Sequence, residues 1–122
     1  MSFIFTILML FSLRLGAPHG VISTQNQQND QTAKSDMDEL AGALEAHYSL
    51  NGEYPTEKEV TQHYDISLPG IDPAVLTDQN GKFINQGAYL YKPSDCTAIG
   101  CGHFIVSAQL SDKRAYQKTS IR

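Results

Sequence analysis

Three hydrophobic patterns divide the chain. The first is a near-continuous apolar run from Phe3 to Leu15, broken by Thr6, Ser12 and Arg14. The second is a stripe: Met37, Leu40, Ala41, Ala43, Leu44 and Tyr48 recur at three- and four-residue spacing. That period predicts an amphipathic helix from Ala33 onward. Ala, Leu, Glu and Met dominate it, and all are good helix formers. Asp36, Asp38, Glu39 and Glu45 are expected on its solvated face. The third pattern is a period of two. It predicts strands at Ala88–Tyr91, His103–Leu110 and Ala115–Thr119, with Ser111–Arg114 as a hairpin between the last two.

Local chemistry punctuates these elements. Asn51-Gly52 ends the long helix, because Gly takes the left-handed position after the last turn without a Cβ penalty. Pro55 prevents continuation. Thr56 and Glu59 form a capping-box pattern, which predicts a short helix over about Glu57–His63. Asp72-Pro73 is a cap followed by Pro at the first helical position, leading a single turn, Ala74–Leu76. Asp78–Gly81 reads as a turn. Helix first and strands after make the fold α+β, a long helix packed on a small antiparallel meander. Phe104, Val106, Ala108 and Leu110 share one strand face. They are expected to cover the helix packing face of Met37, Leu40, Leu44 and Tyr48.

The amino-terminal run spans roughly 20 Å as a helix, short of the ~30 Å hydrocarbon core. It has the length of a signal-peptide core. Alternatively it opens a membrane helix that continues through residues 16–22 with a kink at Pro18. Either reading makes the protein exported or membrane-anchored; the competing reading is a buried core helix, for which so small a domain offers little cover. The expected organisation is an anchor or signal-like segment at 1–22, a helix spine at 23–52 and a globular β region at 53–122. Ser23–Thr32, rich in Gln and Asn, is either a linker or exposed helix.

Composition narrows the class. At 122 residues there is room for one domain, and 18% charged with 41% hydrophobic residues is a globular balance. The net charge of −4 lacks the basic footprint of a nucleic-acid binder. The charge is segregated. Asp36 to Asp65 holds eight acids with Lys58 among them, while Lys113, Arg114, Lys118 and Arg122 close the chain with no acid after Asp112. Such runs are ordinarily solvated faces, and complementary ones can set the register of an assembly.

Candidate chemistry is sparse. Cys96 and Cys101 form a C-x4-C pair, which in an exported chain reads as a disulfide closing a small loop. Two reduced thiols, or a metal site completed by His103, are the competing readings. The histidines at 19, 47, 63 and 103 show neither HxxxH nor HExxH spacing. No nucleophile has a base at a diagnostic spacing, and no phosphate-binding glycine loop occurs. No catalytic residue is expected.

The segment Lys34 to Thr56 resembles the helix end of type IV pilins and type II secretion pseudopilins. There an R-K-S-D-like start leads a long helix ending in N-G-x-Y-P-T. The matching positions here are Lys34-Ser35-Asp36 at the start and Asn51, Gly52, Tyr54, Pro55 and Thr56 at the end. The cysteine loop and the strands after it are similar to the closing strands of pilin-like proteins, so the resemblance covers about residues 30–122. The amino terminus departs from the family pattern. The apolar run contains no glutamate, and no Gly-Phe pair precedes it.

The resemblance implies a non-enzymatic structural subunit of a type IV pilus or a related type II secretion-like filament. It would be exported and membrane-anchored, reaching the cell surface or an extracellular fibre. The implied partners are other pilin or pseudopilin subunits, the inner-membrane assembly machinery, a prepilin peptidase and membrane lipid. The alternative is an exported binding module, anchored or secreted, that does not polymerise. Because major pseudopilins bind calcium in a late loop, Asp72, Asp78 and Asn80 are weak calcium candidates. No bidentate Glu follows them, and turn chemistry alone accounts for Asn80-Gly81.

Overall fold

The computed structural model describes residues 18–122, with side chains from residue 24 onward. The run Phe3–Leu15 lies outside the described residues. Helix α1 covers Pro18–Asn51, and two short helices follow, α2 (Glu57–Gln62) and α3 (Tyr64–Ser67). A 3-10 turn at Pro73–Leu76 precedes three strands: β1 (Tyr89–Cys96), β2 (Cys101–Gln109) and β3 (Ala115–Thr119). The strands form one antiparallel sheet in the order β1-β2-β3. The α+β class and the helix-then-meander order stand as read from the sequence.

The Gln/Asn-rich segment is helix. At 34 residues and about 1.5 Å per residue, α1 is about 51 Å long. Among the residues with described side chains, cover by the rest of the chain begins near Asn29 and Asp30. Ala33, Met37, Leu40 and Leu44 are buried, and Tyr48 is half-buried. Residues 24–28 are exposed throughout. All five of these residues are polar, so this stretch makes no apolar contact with the sheet. Among the described residues no helix is long and apolar enough to cross a membrane.

The inner face of β2 is the expected one: Phe104, Val106 and Ala108 are buried, and Leu110 is partly buried. β1 adds Tyr89 and Tyr91, and the irregular segment adds Val60, Leu68, Leu76 and Ile84. The core therefore lies between one helix stripe and one sheet face, closed at the side by α2, α3 and the 3-10 turn.

β1 is longer than its apolar pattern, running on through Lys92-Pro93-Ser94-Asp95 to Cys96. Pairing carries it: Pro93 lies opposite Phe104, and Cys96 opposite Cys101. Pro is tolerated because β1 is an edge strand. The outer edge of β1 is covered by Asn85, whose side-chain amide accepts from Tyr91 N (2.8 Å) and donates to Tyr91 O (3.2 Å). β3 is the other edge, and Lys118 on it is a common guard against stray strand pairing.

The stripe sets a stability expectation. Leu40→Ala empties a fully buried position and costs about 2–5 kcal/mol in chemical denaturation. Leu50→Ala, on the same helix at 83% exposure, changes stability by less than about 0.5 kcal/mol.

Candidate functional site

The sequence motif at the end of α1 proves to be the structural junction of the domain. Gly52 has φ +78° and its N–H donates to Tyr48 O at 2.7 Å, the expected left-handed stop. Thr56 and Glu59 make both bonds of the capping box, at 3.2 Å and 2.9 Å. Local chemistry accounts for Gly52, Pro55 and Thr56, but Tyr54 has a different role. Its ring is fully buried, 4.7 Å from Tyr48 and 4.8 Å edge-on to Phe104. Its backbone pairs with Cys101 in both directions, each bond 2.8 Å. One residue thus acts as a short strand beside the start of β2, where β3 no longer reaches. Tyr91 donates its hydroxyl to the Pro55 carbonyl, fixing the next residue as well.

The cysteine loop meets this junction from the other side. Cys96 and Cys101 form a disulfide with Cα atoms 3.9 Å apart, so the free-thiol and metal readings fall. Thr97 N donates to Gly100 O at 2.7 Å and closes the loop. Gly100 is buried against Glu53, and a Cβ there would sit 2.0 Å from Glu53 Cγ and 2.7 Å from Glu53 Cβ. Glycine at 100 is therefore a requirement of the contact between the motif and the loop.

The helix acids are not a purely solvated face. Tyr89 donates to Asp36 at 2.6 Å, Tyr116 to Asp38 at 2.7 Å and Tyr54 to Glu45 at 2.7 Å. Glu45 also accepts from Ile121 N at 3.0 Å, and Asp30 accepts from Ser111 N and Oγ at 2.9 and 2.8 Å. Carboxylates at both margins of the stripe receive hydroxyls from the sheet, joining the two layers where the apolar contact ends. Asp36 and Glu45 are half-buried as a result. Burial pushes the Asp36 carboxyl above its usual range, against the pull of the Tyr89 hydrogen bond. Burial and the bond to Glu45 push the Tyr54 phenol up to about 12. Burial raises Tyr89 and Tyr91 also, and the Asp38 bond raises Tyr116.

The three calcium candidates are engaged in turn building. Asp78 is 6% exposed, and Oδ1 accepts from Asn80 N and Lys82 N, both at 2.9 Å, while Oδ2 accepts from Ala88 N at 2.7 Å. Burial opposes its charge, but these N–H donors outweigh it and hold its pKa below the usual 3.8. Asp72 caps the 3-10 turn through Ala74 N at 2.9 Å, and Asn80 lies exposed at the tip of the Asp78 turn. Among the described residues no group of three or more His, Cys, Asp or Glu is placed to hold a metal ion. Three histidines stand apart. His47 Nδ1 is 2.8 Å from Ser67 O, His103 pairs with Asp95 at 3.2 Å on the exposed hairpin, and His63 is exposed after α2. His19 has no described side chain. Sequence reasoning missed the tyrosine–carboxylate pairs, since each joins residues in different elements, Tyr89–Asp36 and Tyr116–Asp38 more than fifty positions apart. Tyrosines on β1, on β3 and at Tyr54, opposite the helix acids, were the available signal.

Two outcomes follow from these contacts. The raised phenols favour the folded state below the usual tyrosine pKa of 10.0, so that contribution falls as pH rises from there to about 12. An alkaline titration read at the phenolate absorbance is expected to show delayed ionisation, with unfolding over the same interval. Asp78→Asn sets an amide NH2 or an unsatisfied N–H within the turn and costs about 1–3 kcal/mol in denaturant melts. Since the Asp78 pKa is lowered, its contribution is present above 3.8 and is lost as pH falls below that value. The mutant is therefore expected to lose its deficit relative to wild type in strong acid.

In outline, a long helix leading into a small antiparallel sheet gives the chain the general shape of a pilin. No family model, no curated protein and no solved structure matches the chain.

Proposed function

We propose that this chain is a structural, non-enzymatic subunit of a type IV pilus or a related type II secretion-like filament. The observation that carries the reading is the shape of α1. One end is buried under the sheet and stopped by the Asn51, Gly52, Tyr54, Pro55, Thr56 junction, while the polar residues 24–28 stand exposed on the side from which the sequence leads back to the apolar run Phe3–Leu15. A polar helical spacer of this kind holds a folded domain away from whatever takes up the apolar run. A binding module that worked free in solution would gain nothing from the projecting turns, because an unpacked polar helix is held only by its own marginal propensity.

In this reading the apolar run inserts in membrane lipid before assembly and packs with the runs of other subunits afterward. The sheet faces outward, and its disulfide, cross-strand pairs and buried tyrosines make it resistant to exposure outside the cell. Other pilin or pseudopilin subunits, an assembly machinery in the inner membrane and a prepilin peptidase are the partners it requires.

Native-source fractionation tests this. Protein that retains the apolar run is expected in the mechanically sheared, high-mass surface fraction, as filaments visible by electron microscopy and labelled by antibody to the domain. A mature chain that mass spectrometry finds starting between residues 16 and 20, recovered as a soluble monomer, overturns the filament reading and leaves a secreted binding module.

A further inference from the structure

An apolar groove of about 550 Å³ opens on one flank of α1, beside α3, and no part of the described chain fills it. Ala43, Ala46, His47, Leu50, Ile66 and Pro69 are among its lining residues. Leu50 and Ile66 are 83% and 76% exposed, unusual for large aliphatic side chains so close together. The surroundings are acidic: Glu59 lines the groove, Asp65 precedes Ile66, and Glu39 lies exposed one turn before Ala43.

The opposite flank carries the complementary surface. Ile121 is 78% exposed beyond β3, with Lys118 and Arg122 on either side of it; Lys118 reaches its own Asp38 at 3.5 Å in an exposed pair, a weak contact that a stronger partner can replace. Its backbone N–H is tied to Glu45 Oε2 at 3.0 Å, and the Arg122 guanidinium lies 4.6 Å from the Tyr48 ring, so this end is held in place. His47 leans on Ser67 beside the groove, whereas Glu45 holds the carboxyl end. Two residues apart on a helix is about 200° of rotation. The groove and the basic end therefore lie at the same height on α1 and point away from each other. No molecule can place its own Ile121 in its own groove.

We propose that the occupant of the groove is the basic carboxyl-terminal end of a second copy of this chain, Ile121 seated between Leu50 and Ile66 and Lys118 and Arg122 facing the acidic rim. The inference rests on the filament reading and specifies the lateral contact within it. Because donor and acceptor surfaces differ and face opposite ways, the contact is heterologous: each copy offers both, and addition continues without closing on a pair. The opposite charges steer and orient the encounter, and they weaken in salt.

The test uses the full-length chain in its native membrane or filament, carrying Leu50→Cys together with Ile121→Cys, treated with a short bismaleimide. Both positions are exposed, so the fold tolerates them, and the native cysteines are held in their disulfide. A ladder of covalent multimers from the double variant, with neither single variant giving one, is the expected result. Adding Ile66→Asp is expected to reduce the ladder by about tenfold, since it places a carboxylate where an aliphatic contact is buried, and high salt during treatment is expected to reduce it further. Dimers from Leu50→Cys alone mean a symmetric contact and overturn the proposal. Monomer only, with sheared filaments still recovered, overturns this contact and leaves the filament reading standing. Monomer only, with all protein soluble and no filaments, removes both.

Discussion

Tyr54 ties the structure together. Its ring fills the space between the end of α1 and the start of β2, its backbone extends the sheet by one residue, and its hydroxyl ends on a helix carboxylate. A fully buried aromatic ring is worth about 3–5 kcal/mol against alanine, whereas an exposed ion pair such as Lys118–Asp38, at 3.5 Å, contributes about 0–1 kcal/mol. Without Tyr54 in place, the chain leaving the helix keeps only the Glu53–Gly100 contact with the cysteine loop and the Tyr91 bond to Pro55. β2 would then present unpaired backbone at Cys101.

Around that junction, the packing solves a problem particular to a one-helix, one-sheet domain. A single stripe can cover only a strip of the sheet, and at its margins apolar contact gives way to water. Here the margins are sealed by phenols that bury their rings inward and donate outward to Asp36, Asp38 and Glu45. The rings supply area, and the hydroxyls satisfy carboxylates that would otherwise be desolvated at a cost. The same margin fixes the carboxyl terminus through Ile121 and Glu45. The two exposed flanks of α1 carry aliphatic side chains, Leu50 and Ile66 on one and Ile121 on the other.

Much of this was legible in the residues. The period of the stripe, the left-handed glycine, the capping box and the alternation in β2 are local or single-element signals, and each names its structure directly. Asp78 was legible as a turn residue, and the pairing of Cys96 with Cys101 was the expectation from their C-x4-C spacing. The extension of β1 through Pro93 to Cys96 was not legible, because those residues have no strand character and are carried by the partner strand. Nor was the helical state of the Gln/Asn-rich segment, where propensity is weak and no apolar period marks a face. Glu45 and Asp36 looked like solvent residues because charge on a helix ordinarily is; what they face is set by phenols in other elements, Tyr54 and Tyr89.

The sequence by itself determined where the helix stops, which of its faces is apolar, where the next helix is capped and which strand face is inward, because those depend on neighbours within a few residues. Only the tertiary structure decided that Tyr54 belongs to the sheet, that glycine is obligatory at 100, that helix carboxylates accept sheet phenols, and that the groove and the basic end point in opposite directions. Each of these arises from residues brought together across the fold, and no periodicity along the chain encodes a contact whose partner lies in another element.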